Sequence, residues 1–174
     1  MVQIPERLKN FLAYNEDDQI LGVTEVTLPN LAYITETIAG AGIAGSYDSP
    51  TVGHFQSLTL TLNFRALGND VLNLISPSMT LLTLRGSVQI YDPALRRQVE
   101  KQLTIVTDAM PKEFNLGNMT PATAMGASSN QELTYVKLML DGVEWLEIDK
   151  INYICRINGT DYLQTSAQHM GLVR

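Results

Sequence analysis

Ser57-Leu-Thr-Leu-Thr-Leu-Asn-Phe64 decides the fold class. Its even positions, Leu58, Leu60, Leu62 and Phe64, are apolar, and its odd positions are small and polar. A period of two sends alternate side chains to opposite sides of a strand, so this segment has one buried face and one wet face. Residues 79–91 repeat the habit, with Leu82, Leu84, Val88 and Ile90 opposed to Thr83, Arg85, Ser87 and Gln89. Tyr91–Arg97 is a polar connection with Pro93 at a turn corner. A strand over about 98–107 returns through Val99, Leu103 and Ile105, which predicts a long hairpin.

The last third follows the same rule. Leu133–Leu140 sets Val136, Leu138 and Leu140 on one face, and Asp141-Gly142 is a strong two-residue hairpin signal. Val143–Asp149 returns, a strand through Ile151, Tyr153, Cys155 and Ile157 follows, and Asn158-Gly159 turns into 160–163. Together these predict a meander of three or four antiparallel strands. Towards the N-terminus, strands are expected near 20–28 and 31–38. One segment departs from this period: Leu67, Val71, Leu74 and Ile75 recur at helical spacing. A short helix is expected there, capped by Asn69 or Asp70 and stopped by Pro77.

Two stretches do not read as core. Residues 39–53 are rich in glycine, and 108–130 contain Gly117, Pro121 and Gly126 among several Ala and Ser. Both are expected to be long loops, and loops of that length are usually functional or disordered.

A chain of 174 residues fits one domain that folds without metals or disulfides. Twelve Lys and Arg against 18 Asp and Glu leave a charge of −6. That opposes a role in gripping nucleic acid, which depends on cations displacing counterions from phosphates. Only 17% of residues are charged, against roughly 25% in ordinary soluble domains, so part of the surface is expected to lie against a partner. The single cysteine, Cys155, excludes an intrachain disulfide. With no signal-peptide pattern and no apolar run near the ~20 residues of a membrane helix, a soluble protein of a reducing cytoplasm is expected.

Chemistry is sparse. His54 and His169 show no ligand spacing and no zinc set is available. Cys155 lies on an apolar strand face and reads as a small buried hydrophobe. Glu144, Glu147 and Asp149 crowd one hairpin, which reads better as a solvated face than as an acid/base pair. Gly-Ala-Gly-Ile-Ala-Gly at 40–45 lacks the strand–helix context of a dinucleotide site. Trp145 and the tyrosines have no basic stripe beside them to suggest base stacking. No enzyme, metal or cofactor is expected.

The stretch Val136-Lys-Leu-Met-Leu-Asp-Gly-Val-Glu-Trp-Leu-Glu-Ile-Asp-Lys-Ile-Asn152, continued by Asn158–Leu163 and Gly171-Leu172, resembles the major tail tube proteins of contractile-tailed phages. Val26–Leu31, Gly40–Gly45 and Phe64–Ile75 are similar to further segments of that family, in the same order. Residues 108–130 depart from it, the family often carrying more charge there. The resemblance implies a mainly β subunit, an antiparallel β-sandwich or barrel-like fold with one short α-helix and long loops. Six copies would close into a ring whose sheets join in one wide barrel, and rings would stack into a tube. It implies as partners the chain itself, the sheath protein, baseplate, tape measure and tail terminator, with DNA passing through and no membrane. The particle would be a virion tail assembled in the host cytoplasm, or a phage-tail-like bacteriocin.

On that footing, residues 39–53 read as an arm ordered by the next ring, although a solvent loop describes them equally well. Gly40, Gly42, Ile43, Gly45, Tyr47, Phe114 and Met119 are candidate contacts between subunits or rings. An acidic inner wall would let DNA slide, and Glu100, Glu144 and Glu147 are candidates to line it, along with the polar positions of 57–64. A monomeric ligand-binding β-sandwich is the alternative of a different class, and an enzyme using carboxylates comes third.

Overall fold

The computed structural model describes residues 3–172, the side chain of Asp70 excepted. In chain order these form β1 (Ile4–Tyr14), β2 (Ile20–Leu21), β3 (Val23–Thr27), β4 (Tyr33–Ala39), β5 (Ser46–Phe55), β6 (Thr59–Phe64) and α1 (Asn69–Asn73). There follow β7 (Thr80–Asp92), β8 (Arg97–Asn115), β9 (Ala127–Leu140), β10 (Val143–Asp149), β11 (Ile154–Ile157), β12 (Thr160–Asp161) and α2 (Gln164–His169). The main sheet runs β12-β11-β10-β9-β8-β7-β1-β2, and β6, carrying β3 on its far side, joins the first half of β9. Every pairing is antiparallel, and β4 and β5 form a separate two-stranded sheet.

The central segment behaves as its alternation dictates. Leu58, Leu60 and Leu62 are 0% exposed and Phe64 1%, while Thr59, Thr61 and Asn63 stay half-exposed. These side chains form one core with Leu82 and Leu84 of β7, Ile105 of β8, Leu133 and Val136 of β9, Ile148 of β10 and Cys155 of β11. Val71 of α1 and Leu74, the residue that caps its C-terminus, belong to the same core. The side-chain amide of Gln131, itself buried, donates to the Leu74 carbonyl at 3.2 Å and so satisfies an acceptor that the end of the helix leaves open.

β9 serves two partners. Its first half pairs with β6 (Thr59↔Glu132 to Phe64↔Ala127), and its second half pairs with β10 (Tyr135↔Asp149 to Leu140↔Val143). The change falls at Thr134, which the β8 ladder skips between Asp108↔Tyr135 and Ala109↔Leu133. An extra residue shifts the alternation by one. Odd positions are therefore buried up to Leu133, and Val136 is buried after it. The Thr134 carbonyl accepts instead from the Lys150 amide at 2.9 Å.

The turns follow sequence chemistry. Asp141 and Gly142 have φ of +55° and +77°, the left-handed pair that a two-residue hairpin needs, and Asn158 and Gly159 repeat it at +49° and +81°.

Several expectations are corrected. The stretch 39–53 is mostly strand, since β5 pairs with β4 and only 40–45 forms a connection. Likewise β8 extends to Asn115 and β9 begins at Ala127, which reduces the 108–130 loop to 116–126. Two bulged registers blur the period in that region and hid its strands. The strand expected through Ile151 and Tyr153 starts only at Ile154, because Asp149 accepts from the Ile151 and Asn152 amides and folds 150–153 into a turn. Helix α1 has Gly68 at its N-cap with no side-chain cap, so neither Asn69 nor Asp70 holds that position. β1 and α2 were not anticipated. β1 carries two register shifts against β7, and α2 buries only Ala167, so neither shows a clean period.

Candidate assembly and channel surfaces

The hairpin β4–β5 is the first candidate surface. Its ladder runs from Thr35↔Pro50 to Ala39↔Ser46, and most of its residues are exposed on both faces. Gly40, Gly42, Ile43 and Gly45 make its tip, and Tyr47 lies on β5 opposite Ile38. Tyr47 is 56% exposed, and Ile34, Ile43 and Val52 also show large apolar surface to solvent. The hairpin is rooted by Phe55, which is buried and stacks on Tyr33 with ring centroids 4.7 Å apart. Five of the seven contact candidates thus share one projecting element. The other two lie elsewhere on the chain: Phe114 sits on β8, packed against the core, and Met119 is 93% exposed in the 116–126 connection.

The second surface is the polar face of the main sheet. Residues opposite each other across a ladder share a face, so the pairing places the acidic candidates. Glu100 faces Gln89, on the side of β7 that carries Arg85 and Thr83. Arg85 faces Thr104, Thr104 faces Met139, and Met139 faces Glu144. Val106 faces Lys137, which faces Glu147 and through it Arg156. Glu100, Glu144 and Glu147 therefore lie on one continuous face. Asp108, Glu132, Asp149 and the threonines of β6 share it as well. Its bases include Arg7, Arg85, Lys137 and Arg156, and Lys9, Lys112 and Lys150 ion-pair with Glu100 and Glu132, so the face carries closely paired charges of both signs.

The three glutamates are not equivalent. Glu147 is 7% exposed and engaged by Arg156, Lys137 and the Tyr135 hydroxyl. Glu144 pairs with Lys137 at 2.7 Å. That hydrogen bond, with Glu147 nearby, holds the Lys137 ammonium above its ordinary pKa against the opposing effect of burial. Burial, with the Glu147 hydrogen bond and charge, pushes the Tyr135 hydroxyl up. Glu100 is open to solvent, and its bonds to Lys9 and Ser87 hold it below the usual carboxylate range. Asp108 is raised by burial and by the neighbouring charge of Asp149. Burial would raise Glu132 too, but Ser57, the Leu58 amide, Lys150 and Lys112 outweigh it and leave it lowered.

The third feature is a free edge. Only Ala13 and Tyr14 of β1 pair with β2, so among the described residues Ile4–Leu12 offers an outer edge without a strand. Pro5, Lys9 and the two register shifts blunt it, the devices that keep an edge from pairing indiscriminately. Ile4, Leu8 and Leu12 are each about half exposed along it, with Ile4 at 53%. Leu8 and Phe11 continue into a groove with Val26, Leu28, Leu103 and Ile105.

The histidines and the cysteine lie apart from one another among the described residues. His54 packs on Tyr153, and His169 ends α2. Cys155 is fully buried, and burial together with Asp161 raises its thiol. No group of metal-ligating side chains occurs among the described residues, and no helix there is long and apolar enough to cross a membrane. The long-range contacts at the hairpin root were illegible in the sequence. His54 and Tyr153 lie 99 positions apart, and no spacing rule links them.

Residues 5–171 match the family model described as phage tail tube protein FII. The tail tube protein of Escherichia phage P2 is 27% identical over 182 residues, covering 97% of this chain and 99% of that protein. Among solved structures, the sheath/tube terminator of an extracellular contractile injection system, PVC, in its extended state superposes with a TM-score of 0.54 at 15% identity. That match covers 80% of this chain and 99% of the other, and supports the same antiparallel β architecture. The sheath–tube complex of the PVC system gives a TM-score of 0.49 at 14% identity, over 78% and 90% of the two chains.

Proposed function

The chain belongs to the phage tail tube protein FII family, and from that premise we propose that six copies close side by side into a ring and that rings stack into a tube that conducts DNA. The protein is a structural tail tube subunit of a contractile particle. The ring reading is carried by one observation: the unpaired Ile4–Leu12 edge at one end of a sheet whose other face is polar. Closing neighbouring sheets on one another satisfies such an edge and yields a barrel with no edge at all. The β4–β5 arm supplies a head-to-tail contact, which builds an open filament because no copy terminates it. The whole chain, 1–174, acts as one domain with that arm projecting from it.

The polar face is the wall. Lys9, Lys112, Lys137, Lys150 and Arg156 on it are engaged by Glu100, Glu132, Glu144 and Glu147, which leaves them less able to hold phosphates, whereas each added unpaired Lys or Arg contact would contribute a salt-dependent grip. The chain takes no part in catalysis. Its partners are other copies of itself, the sheath and the terminator, with baseplate and tape measure at the start of assembly. A DNA-free injection device could use the same subunit.

Electron microscopy of the protein, alone and mixed with the other tail components, tests this reading. Rings of six and stacked tubes are expected. Persistent monomers in every mixture would reject it, and a particle without a DNA-filled head would restrict the function to the DNA-free case.

A further inference from the structure

The arm does not run straight into the body. Between the root pair Tyr33↔Phe55 and the next pair, Thr35↔Pro50, a single residue of β4 faces Thr51–His54 of β5. An interruption of that kind removes ladder hydrogen bonds and bends the strand. Alone, it would leave the arm free to swing on its root.

Contacts with distant parts of the chain cross the gap. Gly53 has φ +76°, and a Cβ there would come within 2.6 Å of the side chain of Leu163, the buried residue that leads into α2. His54 Nε2 lies 3.1 Å from the Tyr153 hydroxyl, and the two rings meet edge to face with centroids 5.6 Å apart. Just beyond the root, on its body side, Lys150 Nζ donates to the Gln56 carbonyl at 2.9 Å. Tyr153 itself holds φ +62°. A bulky side chain rarely adopts that region and stays there only where its surroundings impose it.

We propose that these groups form a fixed joint, which sets the direction of the arm within each subunit before another copy is met. His54 and Tyr153 are its positioning residues. The proposal rests on the arm as the contact between rings and replaces the expectation that the next ring orders it. A contact segment already held in its bound direction loses less freedom on docking, and the association is correspondingly tighter.

Spin labels at Ser46→Cys near the arm tip and Gln98→Cys on the body would report the arm's direction, Cys155 being buried. In unassembled subunits a single narrow distance peak is expected, and it should persist in tubes. Tyr153→Phe, which removes only the hydroxyl, and His54→Ala should both broaden the peak and shorten or abolish tubes. The thermal midpoint of Tyr153→Phe should stay near that of the parent, which separates positioning from general loss of fold. If His54→Ala does not fold, Tyr153→Phe carries the test. A broad parent distribution that narrows only in tubes overturns the joint, and so does an unchanged peak in Tyr153→Phe. Broadened peaks with normal tubes would uphold the joint and reject the arm as the contact between rings.

Discussion

At the scale of single residues, charge placement separates what assembly needs from what folding needs. Asp108 sits on the polar face with its carboxyl raised above the ordinary 3.8 by burial and then by Asp149. Its folded pKa therefore exceeds its unfolded one, so the unfolded chain carries the charge more readily and the ionised group opposes folding. That penalty is fully present above the folded pKa and fades as the pH falls through it to the unfolded value. Asp108→Asn is thus expected to raise the thermal midpoint near neutral pH and to leave it unchanged below about pH 3. A lower midpoint at neutral pH would contradict the assignment. Some residues of this scale were legible at once. Cys155 sits on an apolar face by simple alternation and is fully buried, and Asp141-Gly142 and Asn158-Gly159 turn as their chemistry requires. The Gly68 N-cap was not legible, because Asn69 and Asp70 beside it are the better capping residues by type.

Elements divide by whether their period survives. β6 keeps perfect alternation, so its buried face was readable, and that face anchors the core. Leu62→Ala should remove about 2–5 kcal/mol of stability by loss of buried contact and creation of a cavity. In a urea titration this would lower the midpoint with little change in slope, since the surface exposed on unfolding hardly changes. A loss within a few tenths would mean that the core collapses around the gap. β1, the ends of β8 and the start of β9 were missed, and their register shifts explain why: each extra residue moves apolar side chains to the opposite parity. Of the arm, β4 was anticipated, and β5 was missed for another reason. The arm's strands are exposed on both faces, so no core imposes an alternation on them.

At the scale of the whole molecule, the pairing gathers scattered acids into a surface. Glu100 and Glu144 lie far apart in the chain but on one face of the main sheet. Glu100 is exposed, whereas Glu144 is partly covered and paired with Lys137, and Glu147 is held by Arg156 and Lys137. The single change Glu100→Lys at that exposed position should therefore spare the fold and the tubes. It should slow genome ejection, most strongly at low salt, because cation–phosphate attachment weakens as salt rises. Ejection unchanged at every salt concentration would remove this face as the wall. By itself the sequence determined that the protein is a mainly antiparallel β subunit, and residue order carried the resemblance to tail tubes. Both follow from local rules, since alternation and turn chemistry act between neighbours. Only the tertiary structure decided that Glu100, Glu144 and Glu147 share a face, that β9 changes partners at Thr134, and that His54 meets Tyr153 at the root of the arm. Those facts depend on strand register and bulges, and register is settled by packing between segments distant in the chain.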